Sequence, residues 1–279
     1  MNPTIMFMFA GRQANLELQL PYLHHILAEH PETELHIWDL SRTFEDHVFI
    51  GQIKGERITV HRHLYNHGRK PWQHFNDVWR HYGHDRSYRD HLFVKIDDDV
   101  VFLETEQFGA YLAAIDDNRG AIVSAKVINN GACTTTEPDL WFGFEQLGID
   151  LLDVHMSAEY ADLCHRWFFD NWRGAVGWPS TLLPTAHWLS INLIGFDWRT
   201  CYDIARRLDG PSPETIAGRQ FRLGSPIGDE GAVNMLPRLI HEGIVASHLT
   251  FGPQDAKLSA GQISEYRKMY ADIAAEYLA

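Results

Sequence analysis

Three consecutive aspartates, Asp97, Asp98 and Asp99, stand where the apolar run FVKI gives way to VVFLE. Carboxylates about 4 Å apart repel by roughly 4 kcal/mol at an effective dielectric near 20. Three of them flanked by buried strand therefore call for a compensating cation. A hard divalent ion with oxygen ligands meets that need, and a phosphate-bearing ligand completes such an ion's shell. A second acidic pair, Asp229-Glu230, sits between Gly228 and Gly231 and precedes the apolar residues Val233, Met235 and Leu236. An acid at a helix start caps the helix and is favoured by its dipole. The same carboxylate can also take a proton from a hydroxyl that must act as a nucleophile. His248, in ASHLTFGPQ after the short apolar run Ile244–Ser247, is the third candidate.

The flanking elements must position these groups. Apolar runs predict strands at Thr4–Ala10, Glu34–Leu40, Arg57–His61, His91–Ile96, Ala121–Val127, Trp188–Ile194 and Ile244–Ser247. Helical spacing predicts helices over Asn15–His30, from Pro71 to about Tyr82, and over Glu104–Asp116, 155–172, Trp198–Leu208, Glu230–Leu239 and Gly261–Leu278. Strands alternating with helices indicate an α/β fold with a mostly parallel sheet flanked by helices. Such sheets bind ligands at the carboxyl ends of their strands, where the 97–99 acids fall. The second half is less regular, and no linker or repeat divides it off, so 1–279 is expected to be one catalytic domain.

Composition narrows the classes. The 279 residues are 45% hydrophobic and 22% charged, which excludes disordered, collagen-like and coiled-coil chains. Cys133, Cys164 and Cys201 are too few and too scattered for a disulfide framework or a zinc cluster, which fits a reducing, cytoplasmic setting. No apolar run approaches the ~20 residues of a membrane span, and MNPTIMFMFAG lacks the basic flank of a signal peptide. The net charge is −13, an unfavourable overall sign for anionic partners. Yet residues 57–91 alone carry +4, from Arg57, Arg62, Arg69, Lys70, Arg80, Arg86 and Arg89 against Asp77, Asp85 and Asp90. Interleaved Tyr65, Trp72, Phe75, Trp79, Tyr82 and Tyr88 complete a composition used for phosphate contact and base stacking. A solvated basic helix face accounts for that segment equally well.

A first strand ending in the small-residue turn Ala10-Gly11, followed later by a strand running into Asp97-Asp98-Asp99, resembles the GT-A-fold glycosyltransferases with their DXD motif. The resemblance is carried by residues 1–130 and by short motifs in 225–257. It implies a Rossmann-type fold with a nucleotide-sugar-binding half (1–130) and an acceptor half (131–279). It implies metal-dependent transfer, a hexosyltransferase-type reaction, from a nucleotide-sugar such as a UDP-sugar to an acceptor hydroxyl. By position, Asp97 would face the nucleoside and share in the metal site, Asp99 would hold Mn²⁺ or Mg²⁺, and Asp98 would lie between them. His248 matches the family's late metal-binding histidine. Ala10, Gly11 and Arg12, with Asp39 and Arg42 of HIWDLSR, match its donor-side loops. Glu230, ahead of Asp229, matches the base of the inverting members.

Two classes of acceptor are compatible with the sequence. A glycan, lipid-linked sugar or protein hydroxyl fits the net acidity, whereas segment 57–91 admits a hydroxymethylated pyrimidine in DNA, as in phage base glucosylation, within the host cytoplasm. WRGAVGWPS (172–180) has the composition of a stacking loop, and HWLSINLIGFDW (187–198) offers Asn192 and Asp197 as polar candidates near the acceptor. Two rival readings share the acid motif: a sugar nucleotidyltransferase, which would release pyrophosphate, and a non-catalytic sugar-nucleotide-binding module.

Overall fold

The structure is a computed structural model of the chain and describes residues 2–41, 43–61 and 71–279. Strand β1 (Thr4–Ala10) leads into α1 (Gln13–Glu29), β2 (Thr33–Asp39), α2 (Phe44–Ile50) and β3 (Ile58–His61). Helix α3 (Pro71–His84) precedes β4 (Leu92–Asp97), β5 (Val100–Leu103), α4 (Phe108–Asp117) and β6 (Ile122–Ile128). Past the short α5 (Gly131–Thr134) come α6 (Pro138–Leu147), α7 (Ala158–Ala175), β7 (Leu182–Pro184), β8 (Leu193–Asp197) and α8 (Trp198–Arg207). A small hairpin, β9 (Thr215–Ile216) and β10 (Arg219–Gln220), precedes α9 (Asp229–Asn234), β11 (Arg238–His248), α10 (Gly252–Asp255) and α11 (Ala260–Tyr277).

One sheet takes strands from both halves of the sequence, in the order β3-β2-β1-β4-β8-β6-β11-β5, with β7 also on β11. Strands β1, β2, β3, β4, β6 and β11 run one way, while β5, β7 and β8 run the other. The sheet is thus mostly parallel, as the strand–helix alternation predicts. All seven residues of β1 and the first five of β4 are buried, which explains why neither strand alternates polar with apolar residues. Phe7, Trp79, Tyr82, Phe93 and Phe196 form one aromatic cluster under α3. Tyr22, Phe102, Phe168, Trp172 and Tyr277 form a second where α1, α7 and α11 meet β5. Each such ring contributes roughly 1.5–3 kcal/mol by burial.

Two predicted elements are redrawn. The helix expected over Glu230–Leu239 ends at Asn234, and β11 begins at Arg238. Pro237 stands between them; it lacks an amide donor and disfavours helix in the residue before it. The strand expected over Trp188–Ile194 starts only at Leu193. Upstream, the Leu189 amide and carbonyl pair with the Asn234 side chain, both at 2.8 Å, where a strand neighbour would otherwise bond.

Several residues of the 57–91 segment are committed to the fold, while Arg86 and Arg89 stay exposed. Trp79 and Tyr82 are fully buried, and Phe75 stacks on Phe9 at 4.5 Å. Arg57 donates to the carbonyls of His30 and Thr33 at 2.8 and 3.0 Å, and Arg80 pairs with Asp209 at 2.6 Å. Phe75, Trp79, Tyr82, Arg57 and Arg80 are thereby taken up by the fold and are not free for nucleic acid. Arg62, Tyr65, Arg69 and Lys70, named above, lie outside the described residues. Among the described residues no helix is long and apolar enough to cross a membrane, and the three cysteines are free and buried.

Candidate active site

Strand order brings the acid motif to His248. β4 ends at Asp97, Asp98 and Asp99 turn the chain out of register, and β5 re-enters at the far side of the sheet against β11. There Val100 pairs with His248, and the Leu249 amide donates to the Asp99 carbonyl at 2.8 Å. Donor atoms of Asp97, Asp99 and His248 consequently lie within 4.8 Å of one another. Asn129, with φ of 66°, braces this junction. Its amide donates to the carbonyls of His248 and Leu249 at 3.3 and 3.2 Å and to Gln254 Oε1 at 2.9 Å.

Three carboxylates here face two fixed cations. Lys95, inside β4 and 1% exposed, pairs with Asp97 and donates to the Ile191 carbonyl at 2.6 Å. Arg12 pairs with Asp98 and reaches Asp99 Oδ2 at 2.7 Å. Asp98 also accepts from the Gly11 amide at 2.7 Å, locking the motif to the end of β1. Burial raises Asp97 and Asp98, against the pull of Lys95 and Arg12 respectively. Burial would raise Asp99 too, but Arg12 and His248 together hold it well below the usual carboxylate range. Charge at the cluster still sums to an excess of anion.

A divalent cation fits these residues. His248 Nε2 stands 3.2 Å from Asp99 Oδ1, yet that buried oxygen has no aligned hydrogen bond, and neither does His248 Nδ1. Buried polar atoms left in this condition are uncommon. Two carboxylates and an imidazole form a donor set that suits Mn²⁺ or Mg²⁺. Asp98, committed to Gly11 and Arg12, takes the part of a positioning acid.

Of the residues expected on the donor side, Gly11, Arg12, Asp97 and Asp98 line one cavity, whereas Ala10 and Asp39 do not. A cavity of about 100 Å³ is lined by Phe9, Gly11, Arg12, Leu40, Phe75, Asp97 and Asp98. Ala10 is fully buried, with Asp39 opposite it in β2. At Gly11 the chain passes close to the loop after β2: a Cβ there would sit 3.1 Å from the Leu40 carbonyl oxygen. Asp39 is buried with both oxygens engaged. Oδ1 accepts from the Ser41 amide and hydroxyl at 3.1 and 2.5 Å, and Oδ2 lies 2.5 Å from His47 Nδ1. It shapes the loop after β2 and presents no free oxygen to the cavity. Arg42 lies outside the described residues.

The acidic pair divides its work. Asp229 Oδ2 accepts from Trp79 Nε1 at 3.2 Å, and Oδ1 accepts from the Glu230 amide at 2.9 Å, so Asp229 is tied to α3 and to its own helix. Glu230 instead lines a cavity of about 80 Å³ with Trp188, Ser190, Arg219, His155 and Phe251 among its walls. Burial, with Asp229 adding repulsion, raises the Glu230 carboxyl to about 7 against the pull of Arg219, Trp188 and Ser190. Arg219 is itself stacked on Trp188 at 4.3 Å.

A buried amide relay joins this cavity to the acids. Asn192 Nδ2 donates to Asp97 Oδ2 at 3.3 Å, and Asn130 Nδ2 donates to Asn192 Oδ1 and the Ser190 carbonyl at 3.0 and 2.8 Å. Phe251 lines the Glu230 cavity and packs on His248 at 4.4 Å. Asp197 is different: β8 runs antiparallel to β4, so Asp197 pairs with Leu92 at the opposite edge of the sheet. There it caps α8 by accepting from Thr200 and is no acceptor-side group. Lys95 and Asn130 also belong to the site and are not among the candidates the sequence motifs supply. The lysine inside the apolar run FVKI is the available signal for the first, whereas Asn130 stands in the turn-type run Asn129-Asn130-Gly131.

Neither a family model nor a curated protein matches the sequence. The chain is similar to a crystal structure of the galactosyltransferase LgtC in complex with donor and acceptor sugar analogs, at 10% identity and a TM-score of 0.43 over 95% of each chain. It is similar also to an active-site mutant of LgtC, at 10% identity and a TM-score of 0.42 over 96% of this chain and 95% of that one.

Proposed function

We propose that this chain is a GT-A-type glycosyltransferase that moves a sugar from a nucleotide-sugar, a UDP-sugar, to an acceptor hydroxyl with inversion. The observation that carries the reading is the meeting of Asp97, Asp99 and His248 at the carboxyl end of β4, beside a cavity walled by Gly11, Arg12 and Phe75. Asp97, Asp99 and His248 would hold Mn²⁺ or Mg²⁺, whose charge offsets that developing on the departing diphosphate. Arg12 and Lys95 oppose the effect of burial on these carboxylates and orient them. Glu230 takes the proton of the acceptor hydroxyl as its oxygen bonds to the anomeric carbon and the bond from that carbon to the diphosphate oxygen breaks. Proton removal of this kind is worth about 10²–10⁴ in rate. Ser190, Trp188 and Arg219 around Glu230 mark the acceptor side, and a glycan, lipid-linked sugar or protein hydroxyl is the acceptor class proposed.

Hydrolysis of a panel of nucleotide-sugars tests this, with EDTA and with added Mn²⁺. Release of nucleoside diphosphate that needs the metal and vanishes in Asp99→Asn is expected. Release of pyrophosphate would make the chain a nucleotidyltransferase, and binding of donor without any turnover would make it a binding module.

A further inference from the structure

Arg219 is carried into the Glu230 cavity by the chain between α8 and α9. That excursion is closed at its neck: the Asp209 amide donates to the Ile227 carbonyl at 2.9 Å, the Ile227 amide to the Gly210 carbonyl at 3.0 Å and the Ser212 amide to the Ser225 carbonyl at 2.8 Å. Its far end, the hairpin of β9 and β10, lies over the cavity wall. Phe221 packs on Trp188 at 5.8 Å, and the Arg219 guanidinium stacks on the same indole at 4.3 Å. A loop tied at its base and laid on a rigid scaffold is where proteins commonly place binding groups.

The guanidinium is fixed but not spent. Nη2 donates to the Leu152 carbonyl at 3.2 Å and to His155 Nδ1 at 3.4 Å, which uses both of its hydrogens. Among the described residues the donors on Nε and Nη1 have no bond, and Arg219 has no ion pair. A guanidinium presents such donors as a planar fork matched to an oxyanion. Glu230 is not that partner: Arg219 reaches it only as a field across the cavity, while Trp188 and Ser190 bond its carboxyl. His155 lines the same cavity, and because its Nδ1 accepts from Arg219, its proton sits on Nε2, a second donor. Asp153, on the same turn as His155, is exposed and bears on the imidazole only as a field.

We infer that Arg219, with His155 beside it, is a specificity residue that seats the acidic group of an acceptor sugar while a hydroxyl of that sugar faces Glu230. On the function proposed above, on which this rests, the acceptor is an acidic glycan rather than a neutral one. A uronic-acid carboxylate and a sugar phosphate share the chemistry; the planar fork and a cavity of about 80 Å³ favour the smaller, planar carboxylate.

Calorimetric titration of the full chain tests the seat, using methyl glucuronide and methyl galacturonide, their neutral counterparts methyl glucoside and methyl galactoside, and glucose 6-phosphate. Transfer to the same probes gives acceptor and donor KM. A uronide is expected to bind about tenfold or more tightly than its neutral counterpart, the scale of a charge-assisted bond pair. Arg219→Gln should erase that preference with donor KM unchanged, and Arg219→Lys should keep part of it. Arg219-dependent binding of glucose 6-phosphate above both uronides assigns the seat to a phosphorylated sugar. Equal binding of acidic and neutral probes by the parent chain, or binding of none, overturns the seat without need of any variant. A preference that survives in a folded Arg219→Gln overturns it too. So does an upward shift of the pH–rate midpoint with discrimination intact, which would make Arg219 a tuner of Glu230, or a rise in donor KM alone. Arg219-dependent uronide binding without nucleotide-sugar turnover would leave the seat standing and remove the glycosyltransferase reading. Turnover with acidic and neutral acceptors alike would do the reverse.

Discussion

Asp99 Oδ1 and His248 Nε2 stand 3.2 Å apart because β5, leaving the acid turn, pairs antiparallel with the end of β11. The two ends of one strand pairing therefore supply both parts of the proposed cation site. Asp99→Asn keeps the shape and removes one charge. Metal-dependent donor hydrolysis should fall by about 10²–10³, the scale seen when a transition-state charge loses its stabiliser. In the parent chain, saturating Mn²⁺ at 100 times its Kd should add about 2.7 kcal/mol of stability, read as a higher Tm by differential scanning fluorimetry. An Mn²⁺ shift of equal size in Asp99→Asn would remove Asp99 from the site.

Lys95 offers a test that does not depend on turnover. It is a buried cation between Asp97 and the Ile191 carbonyl. Lys95→Met leaves a carboxylate and a carbonyl without their partner, and breaking a buried pair in this way costs about 3–5 kcal/mol. Unfolding in urea without metal should show that loss, and Mn²⁺ should recover part of it, since the cluster has become more anionic. A metal-independent loss would mean that Lys95 serves only the fold.

Asn130 should couple the two cavities. Its amide is shared between Asn192 and the Ser190 carbonyl, and it is fully buried with its own Oδ1 unpartnered. Asn130→Ala strands two buried acceptors, at about 1–3 kcal/mol. Activity should drop further than stability explains, because Asn192 then loses its hold on Asp97. Parental kcat in a folded Asn130→Ala would make the relay purely structural.

The sequence carried the parts of the site that follow from local pattern. FVKIDDD announces a buried strand delivering acids to a sheet edge, and ASHLTF announces a strand ending in histidine. Both are periodicity arguments, and strand pairing alone brings the two together. What stayed hidden depends on long-range partners. Whether Asp197 or Asn192 faces the cluster is decided by β8 running antiparallel to β4, which no local signal states. Asp229 and Glu230 are neighbours of equal chemistry, and only Trp79, 150 residues upstream, separates them by taking one of the two. Pro237 is the reverse case: a plain breaker signal that the apolar spacing of 230–239 masked.

Glu230 ties stability to function through pH. Its carboxyl titrates near pH 7 in the folded chain against about 4.3 in an unfolded one. Between those values the folded state binds more protons than the unfolded state. Stability therefore falls as pH rises from about 4 to 7 and stays at the lower level above that range. The catalytic requirement runs the other way, since a base must be ionised: kcat should rise with pH about a midpoint near 7. Glu230→Gln removes the buried charge and the base together. It should lower transfer by about 10²–10⁴ while raising unfolding stability at pH 8 by about 1–3 kcal/mol, part of the shift being discounted for residual exposure. Asp229→Asn, by contrast, should weaken the tie to Trp79 and move the activity midpoint downward as the repulsion on Glu230 is lifted. Paired pH–rate profiles and urea melts of the parent and both variants check this. A Glu230→Gln variant that is less stable at pH 8, with an unchanged pH–rate profile, would show that the carboxylate serves packing, and the base would have to be sought elsewhere around the Ser190 cavity.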